Sequence, residues 1–168
     1  MLSVPKGFSV YPILDLCRDI PVRSFEPGDV LLAEGDKSGR LYILADGEVE
    51  IVKGDFQINV VSEQGAVFGE ISALLDIAHM ATVRALTGVR AHEIADGAQF
   101  LQANQQIAFH LAQLLARRLQ GVSGYLVDLK SQFASHEDHL GMVDDVLETL
   151  VHQQHQRFMP GSDRDPGF

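Results

Sequence analysis

Between residues 22 and 94, short runs in which apolar residues alternate with polar or smaller ones are separated by turn chemistry. No stretch there keeps a helical period for more than two turns, and the pattern predicts an all-β barrel or jelly roll. Strands are expected at 22–25, 30–32, 41–45, 48–52, 56–61, 81–85 and 89–94. The turn Glu26-Pro27-Gly28-Asp29 separates the first two, and Glu34-Gly35-Asp36 opens a polar loop through Ser38-Gly39. Asp46-Gly47, between runs carrying Leu41, Ile43, Val49 and Ile51, is the strongest short hairpin signal in the chain. Lys53-Gly54-Asp55 and Thr87-Gly88 mark two further turns, and residues 13–20 predict a short helix ended by Pro21.

After Asp96-Gly97 the period changes. A helical region is expected over about 98–133, bent near Asn104. Within it Leu115, Leu119, Val122, Leu126, Leu129 and Phe133 are spaced 4, 3, 4, 3 and 4 apart, which is a heptad seam. Two readings stand: the stripe packs on the roll of its own chain, or it joins two chains into a homodimer. Gly121 and Gly124 weaken this helix but let another backbone or a ligand come close. Ser135-His136-Glu137-Asp138 resembles a capping box, and a second amphipathic helix is expected over about 137–156, with Leu140, Val143, Leu147 and Leu150 on one face. Residues 160–168 read as a frayed tail. The expected architecture is mainly β with α: a double-stranded β-helix (jelly roll) over about 20–96, a long dimerisation helix to 133, then a second segment, 134–168, holding the further helix and the tail.

Composition narrows the functions available. With 46% hydrophobic and 21% charged residues the chain is apolar enough to bury a core. Its formal charge of −10 repels phosphate backbones and anionic lipid surfaces, so neither DNA nor a membrane is an expected partner. A single cysteine, Cys17, forms no internal disulfide and by itself holds neither an iron–sulfur cluster nor a cysteine-type zinc site. No stretch of about 18 apolar residues and no basic-then-apolar start occurs, so a soluble, cytoplasmic protein is expected. No nucleophile-elbow sequence or other catalytic set is present, and no enzyme activity is expected.

Phe68-Gly69-Glu70-Ile71-Ser72-Ala73-Leu74-Leu75, then Asp76-Ile77-Ala78-His79-Met80, then Ala81-Thr82-Val83-Arg84-Ala85, is the most specific stretch. It resembles the phosphate-binding cassette of the cyclic-nucleotide-binding domain family: Phe-Gly-Glu, a short apolar helix, a loop, then Arg-(Ser/Thr)-Ala-Thr-Val. The likeness covers about residues 20–133, including the Pro27-Gly28-Asp29 and Glu34-Gly35-Asp36 turns, the hairpin from Tyr42 to Gly47 and Arg117-Arg118-Leu119. It implies a cyclic nucleotide, cAMP or cGMP, or a related small anion as ligand, with no obligatory cofactor. It also implies a site built from Phe68, Gly69, Glu70, Ile71, Ser72, His79, Met80 and Ala81, with Ser123 of the long helix reaching the base. In relatives the glycine lets the backbone approach, the helix start offers N–H donors to the phosphate, and the acid at the position of Glu70 accepts a hydrogen bond from the ribose 2′-hydroxyl.

The sequence departs from that pattern where the arginine is due: His79 holds its position and Met80 that of the neighbouring hydroxyl. An arginine fork binds two phosphate oxygens at once, whereas an imidazole with an ordinary pKa near 6.5 is only partly charged at neutral pH. His79 is therefore either a solvated loop histidine or a weak phosphate contact. Arg84, five residues on in a strand, points to the opposite face and is not expected to substitute. Glu70 and Gly69 likewise have plainer readings, as a helix cap and a turn residue. The pairs His136/His139 and His152/His155 suggest metal ligands at helical spacing, but one helix would hold the two pairs about 24 Å apart. A haem ligated by His79 or Cys17 is the remaining cofactor reading. Only Arg157 and Arg164 carry positive charge after Phe133, so no basic recognition helix is expected there. The expected function is a stand-alone regulatory sensor that signals to a protein effector. Its rival is a ligand-free pseudo-sensor acting as a dimeric interaction module.

Overall fold

The structure is a computed structural model, and it describes residues 12–132, 143 and 145–147. The chain runs α1 (Pro12–Leu16), β1 (Val22–Phe25), β2 (Val30–Leu32), β3 (Leu41–Asp46), β4 (Val49–Lys53), β5 (Phe56–Val61), β6 (Val67–Phe68), α2 (Glu70–Leu75), β7 (Thr82–Ala85), β8 (Val89–Ile94), α3 (Gly97–Ala103) and α4 (Gln105–Gln132). The strands form two four-stranded antiparallel sheets, ordered β1-β8-β3-β6 and β2-β7-β4-β5, which together make the expected roll. Asp46-Gly47 forms the hairpin: Gly47 has φ +97, and a Cβ there would run into the carbonyl of Gly88.

The core lies between the sheets, where Phe25, Leu31, Leu32, Tyr42, Leu44, Val49, Phe68, Val83, Ala85, Val89 and Ala91 form one cluster. Phe25 and Tyr42 meet edge-to-face with ring centroids 5.6 Å apart. β3 is buried on both faces, since Leu41 and Ile43 are as inaccessible as Tyr42 and Leu44. The first face lies against the elements outside the roll: Gly97 at the start of α3 comes so close that a Cβ there would sit 3.1 Å from that of Leu41 and 3.0 Å from that of Ala73. This close approach lets α2 lie against α3.

The expected strands match the observed ones to within one residue at either end; β6, two residues long, was not foreseen. The expected bend is a full break, because the Asn104 side chain donates to the Phe100 carbonyl at 2.8 Å and its backbone leaves the helical region. The helix before the roll is shorter than predicted and gives way to turns at Cys17. Contacts divide the chain into two compact units, Met1–Ala112 and Gln113–Phe168. In the second, α4 is helical to Gln132 and helix is described at Val143 and Asp145–Leu147; the rest of the expected further helix, the boundary at 133 and the tail lie outside the described residues.

Candidate functional site

Phe68, Gly69 and Glu70 are hung from β3 by the pairings of Phe68 with Tyr42 and of Val67 with Ile43. Phe68 fills the roll interior, and Gly69 then turns the chain into α2 with φ +88. At that glycine a Cβ would collide with the carbonyl of Arg40 and stand 3.2 Å from Leu32 Cδ1, so both the backbone angle and the space exclude a side chain. Glu70 begins α2 and is 5% exposed, and Ser72 is equally buried. Asp76, at φ +54, ends the helix, its N–H donating to the carbonyl of Ser72. The outer face of α2 is apolar and open to solvent at Ile71, Leu74 and Leu75, continuing to Ile77 and Met80.

The segment 79–82 is fastened to the loop after β2. Gly35 N–H donates to the His79 carbonyl at 2.9 Å, His79 N–H to the Asp36 carbonyl at 2.8 Å, and Glu34 N–H to Thr82 Oγ1 at 3.0 Å. The His79 ring is turned into this seam. It is 4% exposed, with Nε2 hydrogen-bonded to Ser38 Oγ at 2.7 Å, and Ser38 Oγ also accepts the N–H of Arg40 at 3.2 Å. Burial pushes the imidazole below its ordinary value, and the negative charge of Asp36 opposes this without reversing it. His79 is thus a buried ring that joins two loops through Ser38 rather than a solvated loop histidine.

The lysines near the cassette are engaged with carboxylates and a backbone carbonyl. Lys53 Nζ donates to the carbonyl of Met80 at 2.8 Å and stands 3.5 Å from Glu34, whose carboxylate also accepts the N–H of Gly54 at 2.8 Å. The Gly54 bond, with Lys53 adding to it, holds that carboxyl below the usual range. Lys37 pairs with Asp76 at 2.9 Å beside a cavity of about 310 Å³ that Ser38, Ser72 and Asp96 also line. Arg84 is on the other face of its strand, as expected, with Nε donating to Glu50 at 2.6 Å. Glu93 on β8 gathers Arg23, Arg40 and the Tyr42 hydroxyl.

The structure thus brings Phe68, Gly69, Glu70, Ile71 and Ser72 into one turn-and-helix unit and sets His79, Met80 and Ala81 in the loop that follows it. Met80 is 55% exposed and Ala81 half-buried. Ser123 belongs to the second unit, half-buried on α4. Of the seam residues there, Leu119 and Val122 are exposed and Leu115, Leu126 and Leu129 half-buried; Phe133 lies outside the described residues. Cys17 is fully buried, and that burial pushes its thiol up to about 11. No group of three metal-ligating side chains occurs among the described residues, and the two expected histidine pairs lie outside them. Sequence reasoning missed Ser38, Asp36 and Lys53, whose partners are 41, 43 and 27 residues away. The Glu34-Gly35-Asp36 turn was the one signal pointing to that loop.

Comparison with known proteins agrees with this geometry. The family model described as "Cyclic nucleotide-binding domain" matches residues 22–105. A "cAMP-dependent protein kinase regulatory subunit" of Yarrowia lipolytica is 35% identical over 78 residues, 45% of this chain and 21% of the relative. A "CRP-like cAMP-activated global transcriptional regulator" of Mycobacterium tuberculosis is 28% identical over 130 residues, 74% of this chain and 58% of the relative. This chain therefore corresponds to less than two thirds of either protein. Among solved structures, the N-terminal domain of a transcriptional regulator from Streptomyces coelicolor A3(2) superposes with TM-score 0.50 at 28% identity, covering 66% of this chain and 83% of that one.

Proposed function

The chain belongs to the cyclic nucleotide-binding domain family, and from that premise we propose that it is a regulatory sensor domain. Its ligand, a cyclic nucleotide or a related small molecule, binds at the cassette of Phe68 to Ser72, with Glu70 taking a sugar hydroxyl, and the bound state is passed on through protein contacts. The observation that carries this reading is the Gly69–Glu70 turn: a left-handed glycine closed against the Arg40 carbonyl, followed by an acid 5% exposed at the first position of α2. In relatives the acid at that position accepts a hydrogen bond from the ribose 2′-hydroxyl, and Glu70 stands at the same place in the cassette. The names of the two relatives, both regulators that respond to cAMP, support the same assignment.

Thermal unfolding of the full chain with cyclic nucleotides and their parent nucleosides tests it. A native-state ligand at 100 times its dissociation constant adds about 2.7 kcal/mol, a shift of several degrees for a chain of this length. One compound of the panel should raise the midpoint, and Glu70→Ala should abolish that rise while the variant still unfolds cooperatively. No rise with any compound at millimolar concentration would transfer the assignment to the second reading, a ligand-free interaction module. That reading is favoured by the sequestered His79 and by the solvent-facing apolar row Ile71, Leu74, Leu75, Ile77 and Met80.

A further inference from the structure

Ser38 and His79 pair a nucleophile with a base. Ser38 is an exposed residue of the loop between β2 and β3, and its Oγ stands 2.7 Å from Nε2 of the buried His79 ring. That oxygen also accepts the N–H of Arg40 at 3.2 Å, and its own hydrogen is left to be given to the ring. With the ring proton on Nδ1, Nε2 is the acceptor, and a hydroxyl is held against a base at the distance that proton transfer needs. The backbone fixes this approach. The carbonyl and N–H of His79 are bonded to Gly35 and Asp36 at 2.9 and 2.8 Å, so the loops that carry the two side chains are tied together on either side of them. Burial lowers the pKa of the ring and so favours its proton-accepting form, while the negative charge of Asp36 favours the imidazolium once a proton has arrived.

Ser38 also lines the cavity of about 310 Å³ beside α2, whose walls include the methyl groups of Ala73, Ala95 and Ala98 and the carboxylates of Asp76 and Asp96. Lys37, the cation of that wall, is paired with Asp76 at 2.9 Å. Carboxylates disfavour a phosphate donor there, and small apolar walls suit a short acyl chain. We propose that Ser38 is an acyl acceptor activated by His79, taking a short acyl group from an activated ester. Oγ attacks the carbonyl carbon, the Oγ–C bond forms, and the bond from that carbon to the leaving group breaks with its electron pair departing on the leaving group. The hydroxyl proton passes to Nε2 and from there to the leaving group, so His79 ends in the state in which it began. The step modifies one residue and is independent of any ligand at the cassette.

The full chain is incubated with p-nitrophenyl acetate at pH 7.5, and the acetylated positions are located and timed by peptide mass spectrometry. Ser38 should be acetylated at least about a hundredfold faster than the other serines, and hydroxylamine should remove the group as it removes an ester. His79→Gln keeps an acceptor for the hydroxyl but no base, and should lower the rate at Ser38 about a hundredfold with the circular dichroism spectrum unchanged. Should that variant fail to fold, the wild type in urea takes its place: unfolding should bring Ser38 down to the rate of the other serines. Ser38 acetylated no faster than other serines in the folded wild type, or as fast in folded His79→Gln or in urea as in the native chain, overturns the inference and leaves the pair a structural hydrogen bond.

Discussion

At the scale of single residues, Gly69 and His79 show how differently two positions of one motif depend on context. Gly69 sits at φ +88 with a carbonyl where its Cβ would be, so Gly69→Ala is expected to cost at least about 2 kcal/mol, measured by urea denaturation. An unchanged midpoint would mean that the turn is not needed. His79 is buried, and that burial holds its folded pKa below that of the unfolded chain. In the window between the two values the unfolded chain binds more protons, so the stabilisation is complete above about pH 6.5 and is lost as pH falls through the folded value. The stability of the wild type should therefore decline below pH 6.5 more steeply than that of His79→Gln, with Asp36 and the Lys37–Asp76 pair common to both. The turn at Gly69 was readable from the motif because it is local. The state of His79 was not, because Ser38 and Asp36 reach it from another loop.

At the scale of elements, turn chemistry and period were good guides wherever one face of an element meets solvent. The seven expected strands are all present, and the helical period begins at Gly97, where Asp96 caps α3 by accepting the N–H of Gln99 at 3.0 Å. Asp96→Ala should remove about 1 kcal/mol and lower the unfolding midpoint by about 2 to 4 °C, read by circular dichroism; a loss no larger than that of an exposed control would show the cap to be idle. β6 was missed because two residues carry no alternation, and its existence depends on the pairing with β3. β3 itself shows Leu41 to Leu44 buried without a break, an arrangement that its sequence shares with any short apolar run. β5 is the opposite case: an edge strand with Phe56 79% exposed and Ile58 and Val60 also open to solvent. Its apolar residues predicted a strand and not which of them would be covered.

At the scale of the whole molecule, the heptad stripe on α4 is the main unused surface. Leu119 and Val122 are exposed on the single chain, and we propose that a second copy covers them, as the spacing suggested. Light scattering should give twice the mass of one chain for the wild type and one chain for Leu119→Glu combined with Val122→Glu; a monomeric wild type would discard the seam. The sequence by itself determined the roll, seven of its eight strands, the interruption near Asn104 and the turn that opens the cassette, because turns, caps and hydrophobic periods are encoded by residues within a few positions of one another. Only the tertiary structure decided what the cassette has to offer a ligand. Charge and burial at His79, Lys53 and Glu34 are set by groups 19 to 43 residues distant, and a protonation state follows from the dielectric surroundings those groups create together.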